Sequence, residues 1–182
     1  MLDARPSVAE RYLVAAVSGH LSGCDVDVLL AVGWAASSPR KQLGLAVWRL
    51  RAMASRPGFD GVLRSAIELL HSRTRRLRHG TRLLLTQPEQ HTVAGDVLRW
   101  WIDPICRFCQ GRGRLTGPGG AMLVPKPCKG CDGERHMPLA QVVPPAYLTA
   151  ARWLADEFDG HAAIVFAAAA VRLRESMDDA LR

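Results

Sequence analysis

Residues 106–133 read CRFCQGRGRLTGPGGAMLVPKPCKGCDG, and this stretch decides how the chain is organised. It contains two Cys-x-x-Cys pairs, Cys106 with Cys109 and Cys128 with Cys131, separated by 18 residues. The spacing is typical of a four-thiolate zinc site, because each pair presents two sulfurs from one tight turn and the spacer brings the turns together. Glycines follow both pairs and let the chain fold back over the sulfurs. We therefore predict one Zn²⁺ bound by these four cysteines.

The residues between the cysteine pairs predict a short β-hairpin. Arg114-Leu115 and Met122-Leu-Val124 are strand candidates, and the Gly- and Pro-rich run at 116–120 has the composition of a turn. Four sulfur ligands close the coordination sphere of a metal, and His136, just beyond the second pair, has no partner at ligand spacing. We therefore predict that the zinc is structural and that the protein is not an enzyme.

Most of the remaining sequence favours helix. Apolar residues recur at spacings of three and four, and proline and glycine separate the segments. The predicted helices cover 6–17, 25–36, 39–54, 61–78, 92–102 and a segment from 145 to the end that breaks near Asp159-Gly160. The Ala-rich run at 162–173 is apolar on nearly all sides, which indicates burial.

These segments predict a mainly α fold, a helical domain with an inserted four-cysteine, zinc-bound β-hairpin finger. The N-terminal helical region covers 1–104, the finger covers 105–136, and a C-terminal helical region, 137–182, is expected to pack on the first. Trp100 and Trp101 are adjacent and cannot both face inward on one helix. We expect one of them to pack on the finger or on a partner.

The composition is that of a globular protein, with 48% hydrophobic and 23% charged residues among 182. No stretch reaches the roughly 18 uncharged apolar residues that a membrane-spanning helix requires. Charged side chains near the N-terminus, from Asp3 to Arg11, are incompatible with the apolar core of a secretory signal peptide. We therefore expect a reducing cytoplasm, where paired cysteines more often hold metal than form disulfides.

The charge distribution suggests a polyanionic partner. The chain has 24 basic and 17 acidic residues, a formal net charge of +7. Residues 105–136 alone have six basic and two acidic side chains, or +4, whereas residues 137–182 are net −2. A basic chain with a basic centre favours nucleic acid as the partner. A charge that only maintains solubility is the alternative.

Two basic clusters are candidate nucleic-acid contacts. The first lies at the end of the predicted helix 61–78 and beyond it, where the alternative is a solvated helix end whose cations complement the helix dipole. The second lies on the finger. The candidates are Arg73, Arg75, Arg76, Arg78 and Arg82 in the first cluster, and Arg107, Arg112, Arg114, Lys126, Lys129 and Arg135 in the second. A further hypothesis is a helix-turn-helix over 26–53, with Arg40, Lys41 and Gln42 leading its second helix into a groove.

Two known families carry related cysteine repeats. The Cys-x-x-Cys-x-Gly repeat resembles the cysteine-rich module of DnaJ-type chaperones, but that module has four repeats and this chain has two, with no His-Pro-Asp motif. A closer resemblance is to the lambda-type phage late antitermination protein Q family. It rests on Cys106-Arg-Phe-Cys-Gln-Gly-Arg-Gly-Arg114, on the spacer length, on Cys128-Lys-Gly-Cys-Asp-Gly133 and on Arg135-His-Met-Pro138. Arg135 stands where a full repeat would have glycine.

The second resemblance implies a transcription antitermination factor. Such proteins bind double-stranded DNA at the phage late promoter and engage bacterial RNA polymerase held at a sigma-dependent pause. They stay on the elongating enzyme, so that it reads through pauses and terminators, and they act in the cytoplasm of the bacterial host. The alternatives are a DnaJ-like zinc module that binds unfolded peptide and a simple DNA-binding transcription regulator. The family's helices after the finger resemble a helix-turn-helix, but here that region is acidic, which favours a protein partner such as polymerase or sigma.

Overall fold

The structure, a computed structural model, describes residues 31–33, 35–36, 38–52, 58–76, 85–116 and 123–180. It is mainly helical with one small antiparallel sheet of two strands. In these ranges the helices whose bounds are described are α1 (Pro39–Ala52), α2 (Phe59–Arg76), α3 (Gln87–Ile102) and α4 (Leu148–Ala180), and the strands are β1 (Arg114–Thr116) and β2 (Leu123–Pro127). Two short 3-10 helices, Leu139–Gln141 and Pro145–Tyr147, lead into α4. None of the helices in these ranges is long and apolar enough to cross a membrane.

The chain divides into two compact units, and the first consists of Met1–Val62 with Asp156–Arg182. Within its described part, α1 lies against the later turns of α4. The buried core contains Val32, Ala35, Ala36, Leu45, Val165 and Ala169. Trp48 and Phe166 pack edge to face beside it, with ring centroids 4.9 Å apart. This is a favourable arrangement for two aromatic quadrupoles.

These two helices approach each other closely at Gly44. A Cβ atom added there would collide with the backbone carbonyl of His161 on α4. The glycine therefore lets the two backbones meet directly. His161 itself is buried, with its Nε2 atom 3.6 Å from a Glu157 carboxylate oxygen one turn earlier.

The second unit, Leu63–Ala155, contains most of α2, the whole of α3, the sheet and the first turns of α4. One face of α3 is buried, with Val93, Val97 and Trp101 among its residues.

The start of α3 is fixed by a capping box, in which the Glu89 carboxylate accepts hydrogen bonds from the Thr86 backbone N–H and hydroxyl. Its other oxygen accepts a 2.6 Å hydrogen bond from the Tyr147 hydroxyl. One carboxylate thus ties the beginning of α3 to the segment before α4.

Three details of the sequence-based interpretation are wrong. The helix predicted to begin at Thr92 begins at Gln87, because the capping box and a proline in its first turn satisfy the N-terminus there. The predicted break near Asp159-Gly160 is absent, since α4 is continuous over 33 residues. The Ala-rich run of α4 buries only one side: Ile164 is 50% and Val171 52% exposed. The predicted mainly helical class and the hairpin strands are confirmed.

Candidate metal centre and nucleic-acid interface

The four motif cysteines form one buried cluster. Their sulfur atoms all lie within 4.8 Å of one another, with 4.0 Å between the Sγ atoms of Cys106 and Cys128 and 3.7 Å between those of Cys109 and Cys131. A disulfide would need about 2.05 Å, and all four cysteines are free. Four sulfurs at about 2.3 Å from a central ion would lie about 3.8 Å apart at the corners of a tetrahedron. The cluster can therefore hold a metal ion, and it is the one group of three or more metal-ligating side chains in the described ranges.

The cluster is built from two knuckles of matching conformation, the first Cys106–Gly113 and the second Cys128–Arg135. Each residue of the first corresponds to the residue 22 positions later in the second. The match extends to the backbone: φ is 51° at Gln110 and 48° at Asp132, then 77° at Gly111 and 91° at Gly133. These left-handed conformations turn each knuckle back over its own sulfurs.

Reciprocal hydrogen bonds join the two knuckles. The N–H of Cys128 donates to the carbonyl of Gly113 at 2.8 Å, and the N–H of Cys106 donates to the carbonyl of Arg135 at 2.9 Å. Within the first knuckle, the N–H of Gly113 also donates to the Cys109 sulfur at 3.3 Å. Amide donors of this kind stabilise thiolate ligands, so the backbone is arranged for sulfurs that carry negative charge.

The last residues of the two knuckles differ in side chain but not in backbone. Gly113 has φ 75° and Arg135 has φ 68°. A Cβ atom on Gly113 would lie 2.7 Å from the carbonyl oxygen of Gly133, which is closer than any real side chain comes. The first knuckle therefore requires glycine at this place, whereas the second accommodates the arginine that the sequence comparison had marked as irregular.

The surroundings of the packed thiols drive their pKa values apart. At Cys109, burial raises the pKa, but the Gly113 N–H and the neighbouring thiols outweigh it and lower the pKa to about 7. At Cys131, burial and the hydrogen bond with Cys109 raise the pKa to about 12. One sulfur in this pair thus accepts negative charge while the other resists it, as expected when acidic groups share a buried space. A bound cation would let all four become thiolates, since it supplies the opposing charge.

The finger is attached to the helical part of its unit by short contacts on both sides. The Trp100 indole N–H donates to the carbonyl of Met137 at 2.6 Å, and the Met137 N–H donates to the carbonyl of Pro104 at 2.7 Å. Met137 packs on the cysteine cluster, and Ile105 pairs with His136 in an isolated bridge. Trp101 is buried, whereas Trp100 is half-buried and contacts the segment that follows the finger, so the two adjacent tryptophans face different surroundings.

The basic side chains of the finger are all solvent-exposed. They are Arg107, Arg112, Arg114, Lys126, Lys129 and Arg135, and two exposed acidic residues, Asp132 and Glu134, accompany them. The Arg112 guanidinium donates to the Gln110 side-chain oxygen at 2.9 Å. None of these side chains belongs to the cysteine cluster. The arrangement thus separates a buried, sulfur-lined interior from a positively charged exterior.

Of the first predicted basic cluster, the structure describes only the side chain of Arg73. The guanidinium of Arg73, near the end of α2, lies 4.3 Å from the centroid of the Trp153 ring, a cation–π contact. Its Nε atom is buried without a hydrogen-bond partner. The side chains of Arg75 and Arg76, and the whole of Arg78 and Arg82, lie outside the described residues. The helix-turn-helix hypothesis is described only in part, since α1 is seen but the segment before 31 and the Arg40 side chain are not.

An exposed apolar set on the finger was missed by the sequence-based interpretation. Phe108 is 67%, Ile105 51% and Leu115 39% exposed. The sequence did contain a signal for the exposure of Phe108. This residue lies between two candidate metal ligands, and a side chain at that place is directed away from the sulfurs.

No protein-family model matches this chain, and no curated protein matches it significantly in sequence.

Proposed function

We propose that this protein is a zinc-containing transcription antitermination factor that binds double-stranded DNA and bacterial RNA polymerase with its sigma factor. The observation that carries the proposal is the buried four-thiol cluster under a finger surface whose six arginine and lysine side chains are all exposed. The metal would fix the finger, the cations would contact phosphates, and the protein would act in the cytoplasm of a phage-infected bacterium.

Zinc is the ion that this donor set favours. Four soft sulfur ligands at tetrahedral spacing suit Zn²⁺, which has no geometric preference of its own. The ion would occupy a closed site, because Cys106, Cys109, Cys128 and Cys131 fill all four positions. With no open position for water or substrate, its role would be structural, and the protein would not be an enzyme.

Nucleic acid is the partner that the charge favours. A finger with six basic and two acidic side chains attracts phosphates, and the guanidinium groups of Arg107, Arg112 and Arg114 can each donate two hydrogen bonds to one phosphate. The antitermination role is supported by the resemblance of the two knuckles to the phage late antitermination proteins. A simple DNA-binding regulator would share the finger but would not remain on the polymerase.

The zinc proposal is tested by metal analysis of Cys128→Ser beside the parent protein. We expect one zinc per parent chain and less than half in the variant, with disorder of residues 105–136 by NMR. Structural zinc sites contribute about 10–16 kcal/mol of apparent binding free energy, more than the stability of many domains, about 5–15 kcal/mol. Folded parent protein with less than half a zinc would contradict the proposal.

The antitermination proposal is tested by terminator read-through. Purified RNA polymerase with sigma factor transcribes a template with the cognate late promoter and a downstream terminator, with and without the protein. We expect more read-through product, and no increase with Cys128→Ser or with a template lacking the late promoter. DNA binding without any read-through would favour the simple regulator.

A second candidate function is favoured by the exposed side chains of Ile105, Phe108 and Leu115. A DnaJ-like module that binds unfolded peptide needs apolar groups at its surface, and these three lie on the finger. Such a module should suppress aggregation of a reduced, unfolded protein, and added salt should not weaken that effect. Aggregation suppression combined with absent DNA binding would favour this candidate over antitermination.

A further inference from the structure

Phe108 is held against a glycine rather than left loose on the surface. A Cβ atom added to Gly130, in the second knuckle, would collide with the Phe108 ring and would lie 3.0 Å from Cγ and 3.1 Å from Cε2. The ring therefore lies on Gly130, at the place that corresponds to its own position in the pseudo-symmetric partner knuckle. It still has 67% of its surface exposed. One side of the ring is supported by backbone and the rest faces solvent.

The exposed ring lies in a positively charged setting. Arg107 precedes Phe108 in the first knuckle and Lys129 precedes Gly130 in the second, so each knuckle has one exposed cation next in sequence to the ring or to the glycine under it. A rigid aromatic face with flanking cations is the arrangement by which proteins bind single-stranded nucleic acid: the ring stacks on a base and the cations attract the backbone. A duplex cannot use it in the same way, because its bases are already stacked on one another.

We infer that Phe108, supported by Gly130 and flanked by Arg107 and Lys129, is a stacking platform for an unpaired base of single-stranded DNA. The inference rests on the proposed function and deepens it. It implies that the finger contacts not only duplex DNA but also a melted stretch, of the kind present wherever polymerase has opened the template. Apolar peptide is the less suitable occupant, because the charges beside the ring would have to be desolvated without an opposing charge.

The experiment uses the full-length protein loaded with zinc and an oligothymidylate with one 2-aminopurine, whose fluorescence falls when it stacks. We expect binding to quench the fluorescence. Phe108→Ala and Phe108→Leu should weaken binding roughly five- to 150-fold and remove the quenching, while Phe108→Trp should retain both. Gly130→Ala keeps the ring but displaces it, so it should also weaken binding. Leu115→Ala, at an exposed apolar position elsewhere on the finger, is the matched control and should bind like the parent.

Two further measurements distinguish the inference from its alternatives. All variants are assayed on duplex DNA of the same length, where the Phe108 and Gly130 substitutions should change affinity less than twofold, and one zinc per chain confirms that each variant is folded. Equal binding of the single strand by Phe108→Leu and the parent would overturn the inference, as would equal losses on both substrates. Tenfold tighter binding of the matching RNA would overturn the assignment to DNA. If the parent bound duplex but Phe108 had no effect, this inference alone would fail; if the parent bound neither substrate, the proposed function would fail with it.

Discussion

Arg135 and Gly113 occupy the same left-handed backbone conformation at the ends of the two knuckles, with φ 68° and 75°. A residue with a side chain costs about 1 kcal/mol or more in that region, whereas glycine adopts it freely. A Cβ atom on Gly113 would meet both the carbonyl of Gly133 and the Cγ atom of Arg135, whereas the Arg135 residue itself is exposed.

We predict opposite effects for two substitutions at these positions. Arg135→Gly should raise the free energy of unfolding of the zinc-loaded protein by about 1 kcal/mol, because it removes the conformational cost. Gly113→Ala should lower it by more than about 1 kcal/mol, because the Cβ atom meets the carbonyl of Gly133. Urea unfolding measures both values. Equal stability of the two variants would contradict the assignment of pseudo-equivalent positions.

Glu89 is a second residue whose contribution to stability can be tested. Its hydrogen bond from Tyr147, followed by those from the Thr86 backbone and hydroxyl, lowers its pKa below the ordinary value. The same hydrogen bond, with burial, raises the pKa of Tyr147. The folded state thus favours the charged carboxylate and the neutral phenol at once.

We predict that this contact gives stability that depends on pH in the acid range. Because the pKa of Glu89 is lower in the folded state, its contribution is complete above the ordinary glutamate pKa of about 4.3 and is lost as pH falls towards the folded value. Tyr147→Phe should therefore flatten the dependence of the melting temperature on pH below about pH 5. Glu68→Gln, at an exposed position on α2, is the control and should keep the parent's slope. A Tyr147→Phe profile parallel to that of the parent would show that the contact does not operate in solution.

At the scale of single residues, the sequence predicted the cysteine set and its two repeats, but not all the backbone angles within them. The spacing of the four cysteines is a local pattern, so their proximity followed from it. The positive φ values at Gln110, Asp132 and Arg135 could not be predicted, because nothing in those side chains requires them. At Gln110 and Asp132 they belong to turns closed within each knuckle, where the N–H of Arg112 donates to the Cys109 carbonyl and the N–H of Glu134 donates to the Cys131 carbonyl. At Arg135 the backbone takes part in a tertiary contact, because its carbonyl accepts a hydrogen bond from the N–H of Cys106.

At the scale of elements, the packing of α1 against α4 depends on a single small residue, Gly44, at their contact. We predict that Gly44→Ala lowers the free energy of unfolding by about 1–3 kcal/mol, since its Cβ atom would displace the backbone at His161. Gly160→Ala is the matched control: it lies inside α4 with no atom within 4 Å of the added Cβ. It should raise stability by about 0.5–1 kcal/mol through helix propensity alone. A neutral Gly44→Ala would mean that the helices are not in contact there.

The helix boundaries show which ends of helices can be predicted from the sequence and which cannot. The start of α3 was readable from Thr86, Pro88 and Glu89, since a capping box with proline in the first turn is a sequence signal. The continuity of α4 was not, because Gly160 costs only about 1 kcal/mol in a helix and the neighbouring turns outweigh it. The exposure of Ile164 and Val171 depends on what packs against their face of α4, and the periodicity of the sequence carries no information about that.

For the whole molecule, the net charge of +7 predicts that the proposed binding to nucleic acid depends on salt. If about five cations contact phosphates, log K for duplex DNA should fall against log[salt] with a slope near −4.5, at about −0.9 per contact. Arg107→Ala with Lys129→Ala should reduce the magnitude of that slope by about 1.8. The measurement is a series of DNA-binding titrations at increasing salt.

The control for this prediction is Arg152→Ala, which removes an exposed charge from α4 rather than from the finger. It should leave the slope within about 0.3 of the parent value, because a cation without a phosphate partner releases no counterion. A slope that changed equally with Arg152→Ala and with either finger substitution would mean that overall charge, and not the finger, sets the affinity.

The reciprocal bonds between the knuckles also have a consequence for hydrogen exchange. The amides of Cys106 and Cys128 each donate to the opposite knuckle, so neither can be protected from exchange until both knuckles have closed. Local opening of one end of the finger therefore exposes both amides together. When the proposed zinc is gradually chelated, these two amides, 22 residues apart, should lose protection at one rate while the helical amides of α3 retain theirs.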